Sequence, residues 1–155
     1  MDALFKKLNY KNQETVYVIN APDSLEVNLA GIRPSGHIKR TVDGASNLEF
    51  VMVFVTRQSE IDSLIPIIAP LLQGDATLWM CYPKGTSKKY RCDFNRDTGW
   101  EILGKYGMEG VRMVAIDADW SALRFRKATY IKKLTRKFAA LSEEGKLRTG
   151  QDKEP

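Results

Sequence analysis

Groups capable of chemistry fall just past the apolar runs of this chain. Lys84 follows the run 77–82, which ends in Tyr82. Asp117, Asp119 and Trp120 follow the run 111–116. An amine, two carboxylates and an aromatic ring in one region are what proton transfer or the clamping of a charged ligand would need. Asn20 ends the run 16–20, and Arg57 follows the run 50–55. In an open parallel sheet, ligands sit outside the carboxyl ends of the strands, so these ends are where a site would lie. The candidate ligand-binding residues are therefore Asn20, Arg57, Tyr82, Lys84, Asp117, Asp119 and Trp120. Structural duties compete for each. A surface Lys–Asp pair is worth about 0–1 kcal/mol, aspartates build turns, and Trp120 suits packing over a sheet edge.

Other chemistries lack their residues. No Gly-x-Gly-x-x-Gly follows the first run; Asn20-Ala21-Pro22-Asp23 stands there, and Pro22 removes an N–H donor from the place where a phosphate would need one. No Gly-x-Ser-x-Gly turn presents a nucleophile. The single His37 has no cysteine partner nearby, so no metal-ligand set is expected, and no cofactor is assigned. Catalytic residues are not assigned either.

A second candidate surface is basic. Residues 124–155 carry ten basic and four acidic side chains, whereas residues 1–83 carry seven and nine. Arg124, Arg126, Lys127, Lys132, Lys133, Arg136 and Lys137 would suit phosphate contacts, which dominate nucleic-acid affinity. The competing reading, a docked amphipathic helix with a solvated lysine face, is the commoner arrangement. A protein partner or a polyanion is the expected occupant of this segment.

The elements that must position these groups follow from patterning. Val16-Tyr17-Val18-Ile19-Asn20 reads as a strand stopped by Pro22. A short helix over 24–30 ends at Gly31, and a weak strand covers 37–42. Phe50-Val51-Met52-Val53-Phe54-Val55 and Thr77-Leu78-Trp79-Met80-Cys81-Tyr82 lack polar alternation, as central strands covered on both faces do. Between them Ser59 caps a helix with Asp62 three residues on, and Pro66 and Pro70 kink or end it before Gly74. Asn95 or Asp97 starts a helix that stops at Gly107. Strands over 111–116 and 120–126, joined by Asp117-Ala118-Asp119, form an antiparallel hairpin at the sheet's edge. A basic helix over 128–141 closes the chain.

The fold class expected is α/β: a three-layer sandwich with a mostly parallel Rossmann-like sheet, an antiparallel C-terminal hairpin and a C-terminal basic helix. The domain spans 1–126, the helix 127–141 and a flexible tail 142–155. At 155 residues the chain buries roughly two-thirds of its unfolded surface and needs no staple. Cys81 and Cys92 fall in different settings and read as separate free thiols. No run approaches a membrane span, and residues 1–10 lack a signal's apolar core, so a soluble cytoplasmic protein with no membrane contact is expected.

Leu78-Trp79-Met80-Cys81-Tyr82-Pro83-Lys84, Asp93-Phe94-Asn95-Arg96-Asp97 and Ala115 to Phe125 resemble a family of small bacterial proteins grouped as a domain of unknown function. The resemblance runs from about Val16 to Arg126 and implies no activity. The strand order also resembles a shortened S-adenosylmethionine-dependent methyltransferase sheet, a similarity of fold alone. The function expected is a non-enzymatic binding or interaction module on a degenerate Rossmann-like fold. The alternative is an enzyme acting on a small molecule or nucleotide derivative, with its site at the carboxyl edge.

Overall fold

β-Branched and aromatic runs pair into one six-stranded sheet because their side chains pack well on a pleated surface covered on both faces. In the computed structural model, which describes residues 2–33 and 37–131, the strands are β1 (Thr15–Ile19), β2 (His37–Lys39), β3 (Leu48–Phe54), β4 (Leu72–Pro83), β5 (Met108–Ala115) and β6 (Trp120–Lys127). Their spatial order is β2-β1-β3-β4-β6-β5. The first four are mutually parallel, and β6 is antiparallel to both of its neighbours. β5 is therefore parallel to β4. The hairpin forms the antiparallel edge that patterning suggested, with β5 outermost. Its second arm inserts between β4 and β5, because Leu78 to Pro83 pair with Phe125 to Trp120.

Alternation along the strands splits the core in two. On one face, Tyr17, Val51, Val53, Leu78, Met80 and Phe125 meet α3 (Gln58–Ile68) and α4 (Glu101–Lys105). On the other, Val16, Val18, Met52, Trp79 and Cys81 meet α1 (Ala3–Lys7) and α2 (Glu26–Ala30). The three-layer α/β class is thus realised.

Several local expectations change. Patterning gave no helix near the amino terminus, yet Asp2 caps α1 through Phe5 N–H at 3.1 Å, and Leu4, Phe5 and Leu8 are buried. The signal was too short for a helical stripe. The helix α3 begins at Gln58 instead of after Ser59. The Glu60 carboxylate accepts the Thr56 and Arg57 N–H groups at 2.9 and 3.0 Å. Pro66 lies inside α3, and a 3₁₀ turn, Ala69–Leu71, holds Pro70. Gly74 does not close a helix; it lies within β4 at φ +53°, where three extra residues bulge between Leu72 and Thr77. Residues 95–98 form a turn, with Asn95 Oδ1 accepting Asp97 N–H at 2.8 Å, so α4 starts only at Glu101. The expected final helix shows a 3₁₀ turn at Ala128–Tyr130. Its remainder, with Lys132, Lys133, Arg136 and Lys137, and the tail 142–155 lie outside the described residues.

Candidate functional site at the carboxyl edge

The long connection 84–100 after β4 has no regular structure of its own, so side chains must hold it in place. Aromatic rings do this on both sides of the sheet. Tyr90 packs on Trp120, with centroids 4.8 Å apart, on the α1/α2 face. Phe94 and Trp100 pack on Tyr82 at 5.9 and 5.6 Å on the opposite face. Gly99, at φ +90°, lies so close to Phe94 that an added Cβ would stand 2.8 Å from the Phe94 Cβ. Asp93 ties the loop to α3 by accepting Gln58 N–H at 2.7 Å.

Because β5 and β4 are parallel, the turn between β5 and β6 meets the end of β4, as the topology required. Lys84 N–H donates to the Asp119 carbonyl at 2.8 Å. The carboxylates, however, are engaged in structure. Asp117 Oδ1 accepts the N–H groups of Asp119 and Trp120 at 2.8 and 2.9 Å. Asp119 Oδ1 accepts the Ser87 hydroxyl at 2.8 Å, and Ser87 Oγ in turn accepts Lys89 and Tyr90 N–H. Trp120 is buried between Phe54 and Tyr90, and its Nε1–H has no hydrogen-bond partner among the described residues.

The loop and the end of β4 enclose an open cleft of about 900 Å³. Lys84, Lys88, Arg91 and Arg96 line it, and among the described residues no carboxylate does. Arg96 is 3.7 Å from the exposed Asp97 carboxylate, a solvent-screened pair. Tyr82, Tyr90 and Phe94 supply apolar wall, and Ser121 contributes from β6. Two weak acids also line the cleft. Burial pushes the Tyr82 phenol up to about 12, and its hydroxyl faces Met113 Sδ at 3.8 Å. Burial also raises the Cys92 thiol. Both are held in their neutral forms, the reverse of what an activated nucleophile needs. Cys81 and Cys92 are both free thiols, Cys81 buried in the sheet.

Of the residues singled out from sequence, Tyr82 and Lys84 line the cleft. Asn20 and Arg57 are exposed at the ends of β1 and β3 and do not line it. Asp117, Asp119 and Trp120 stand beside it as supports. Sequence reasoning did not assign Lys88, Arg91, Arg96 and Tyr90 to the site. The available signal was the density of basic side chains with interspersed rings directly after a central strand. In the basic segment, Arg126 makes a two-point ion pair with Asp75 at 2.6 and 2.8 Å, and Lys127 Nζ donates to the Leu72 carbonyl. Arg124 is half-buried.

Fold and cleft together define a Rossmann-like α/β domain, mostly parallel, with a basic cleft beyond the end of its longest strand. No protein-family model and no curated protein sequence matches the chain. Among solved structures, it is similar to a protein of the NADB-Rossmann superfamily from Streptococcus agalactiae. That match has a TM-score of 0.47 and 14% identity, over 85% of this chain and 69% of that one. It is also similar to an RNA methyltransferase from Salinibacter ruber solved with S-adenosyl-L-homocysteine. There the TM-score is 0.45 and the identity 12%, over 89% of this chain and 94% of that one. Such likeness concerns fold alone. Among the described residues, no helix is long and apolar enough to cross a membrane.

Proposed function

We propose that this chain is a binding module whose ligand is a small molecule bearing several negative charges, held in the cleft beside Tyr82 and Lys84. One observation carries the reading: four cationic side chains line a space of about 900 Å³ with no carboxylate among the described lining residues. Like charges gathered around a concavity repel one another, and an anionic ligand relieves that repulsion. The arginine forks suit phosphate or carboxylate oxygens in a two-point geometry. Tyr82 and Cys92, both neutral, serve here as wall.

The alternative is an enzyme derived from the S-adenosylmethionine-dependent methyltransferases. What favours it is the antiparallel β6 inserted between the last two parallel strands. Asn20 to Asp23 weighs against the usual cofactor pose, since Pro22 offers no N–H and the following helix has only five residues.

Thermal shift and calorimetry with pyrophosphate, adenosine triphosphate, adenosine and S-adenosylmethionine separate the two readings. The anions are expected to raise the melting temperature, adenosine is not, and a K84A/R91A double variant is expected to lose the cleft's share of the response. Binding of S-adenosylmethionine with no response to the anions would refute the binding-module reading and favour the alternative.

A further inference from the structure

The β5–β6 hairpin carries a second arrangement that its own residues do not resolve. Arg112 on β5 stands directly across from Arg124 on β6, and Arg126 follows two residues along the same face. Cross-strand neighbours of like charge destabilise a sheet. Arg124 is half-buried, and its Nε is fully buried without a hydrogen-bond partner among the described residues. Leaving a buried donor of a charged group unpaired costs stability, and native proteins keep such groups rarely. The carboxylates nearby do not answer it. Asp75 is engaged by Arg126, and the buried Glu109 stands across from Arg126, not from Arg124. Burial lowers the Arg124 pKa most and the charges of Arg126 and Arg112 lower it further, while the Asp75 carboxylate, already engaged by Arg126, opposes them only in part.

We propose that Arg112 and Arg124 form an oxyanion site for a phosphate group, distinct from the cleft. Arg124 lies four residues along β6 from Trp120, about 13 Å from the carboxyl edge. A phosphate there accepts from the guanidinium groups of both strands, and its charge offsets the repulsion between them. The site opens the most basic stretch of the chain, since ten of the residues in 124–155 are basic and four acidic. A free phosphate and one on a nucleic-acid backbone present the same chemistry to Arg124, and the probes tell the two apart.

The test measures melting temperature at constant ionic strength, in chloride alone, with inorganic phosphate, and with a short single-stranded oligonucleotide. The wild type is expected to gain roughly 5–10 °C at a hundredfold excess of a productive probe over its dissociation constant. R124L, which keeps the apolar stem, is expected to melt higher than wild type in chloride and to lose the gain. A merely structural arginine would not produce that opposition. K84A/R91A, altered only in the cleft, is expected to keep the share of the gain that R124L loses. If R124L fails to fold, R124K retains charge and stem but not the fork, and is expected to bind roughly tenfold or more weakly. No gain with either probe in wild type, or an undiminished gain in R124L or R124K, would overturn the site.

Discussion

Substituting Ser87 with alanine isolates what holds the cleft loop against the sheet. The one hydroxyl donates to Asp119 Oδ1 at 2.8 Å and accepts the N–H groups of Lys89 and Tyr90 at 3.2 and 3.1 Å. A hydrogen bond to a charged group is worth about 1.5–3 kcal/mol net. Ser87 is only half-buried, so water recovers part of that when the bond is lost, and S87A is expected to cost about 1–2 kcal/mol. For a domain of this size, such a loss lowers the melting temperature by about 2–8 °C. With a urea slope of about 2 kcal/mol/M, the midpoint moves by about 0.5–1 M. Because Ser87 positions Tyr90 on Trp120, the same variant should make Trp120 more accessible to a fluorescence quencher and weaken anion binding in the cleft. S87T, which retains a hydroxyl, should recover most of both. A variant with wild-type urea midpoint and wild-type quenching would show that the aromatic anchors alone hold the loop, and the clamp argument would fail.

Three other perturbations test different parts of the chain. Trp79 Nε1 donates to the buried Leu8 carbonyl at 2.9 Å, so W79F removes that bond, strands the carbonyl and leaves a void; equilibrium unfolding should show a loss of about 2–4 kcal/mol. The Asp75 carboxyl is held below its ordinary value chiefly by its hydrogen bond from Arg126. A depressed folded-state pKa gives stability that is present above about pH 4 and is lost as the pH falls through the lower folded value. D75N should therefore cost under about 1 kcal/mol at neutral pH and flatten that acid-side dependence in urea melts. Tyr82 has a raised pKa of about 12 from burial. The unfolded chain therefore releases this proton first, so stability should fall between pH 10 and 12, and Y82F should remove that slope and one late step from an ultraviolet phenol titration.

The strands were legible because their patterning is local. The runs holding Val51 and Trp79 carry apolar side chains toward both faces, and only a strand covered on both sides uses such a sequence. Asp117-Ala118-Asp119 was legible as a hairpin turn for the same reason, since two strands joined so tightly can only run antiparallel. The helix α1 was not legible. Its five residues carry too few positions to show a period, and what fixes it is tertiary: Leu8 receives the Trp79 indole, 71 residues away. The start of α4 was misplaced because Asn95 and Asp97 look like caps, but here Asn95 closes its own turn.

By itself, then, the sequence determined a mostly parallel α/β sheet and placed Tyr82 and Lys84 at its carboxyl edge, since hydrophobic period and turn chemistry are properties of neighbours along the chain. The tertiary structure alone decided what those neighbours do. It inserted β6 between β4 and β5. It made Asp119 the acceptor for the Ser87 hydroxyl of the cleft loop. It also gathered Lys88, Arg91 and Arg96 around Lys84. The reason is that a carboxylate's role depends on which donors come within about 3 Å of it, and those donors come from segments that only the folded sheet brings together.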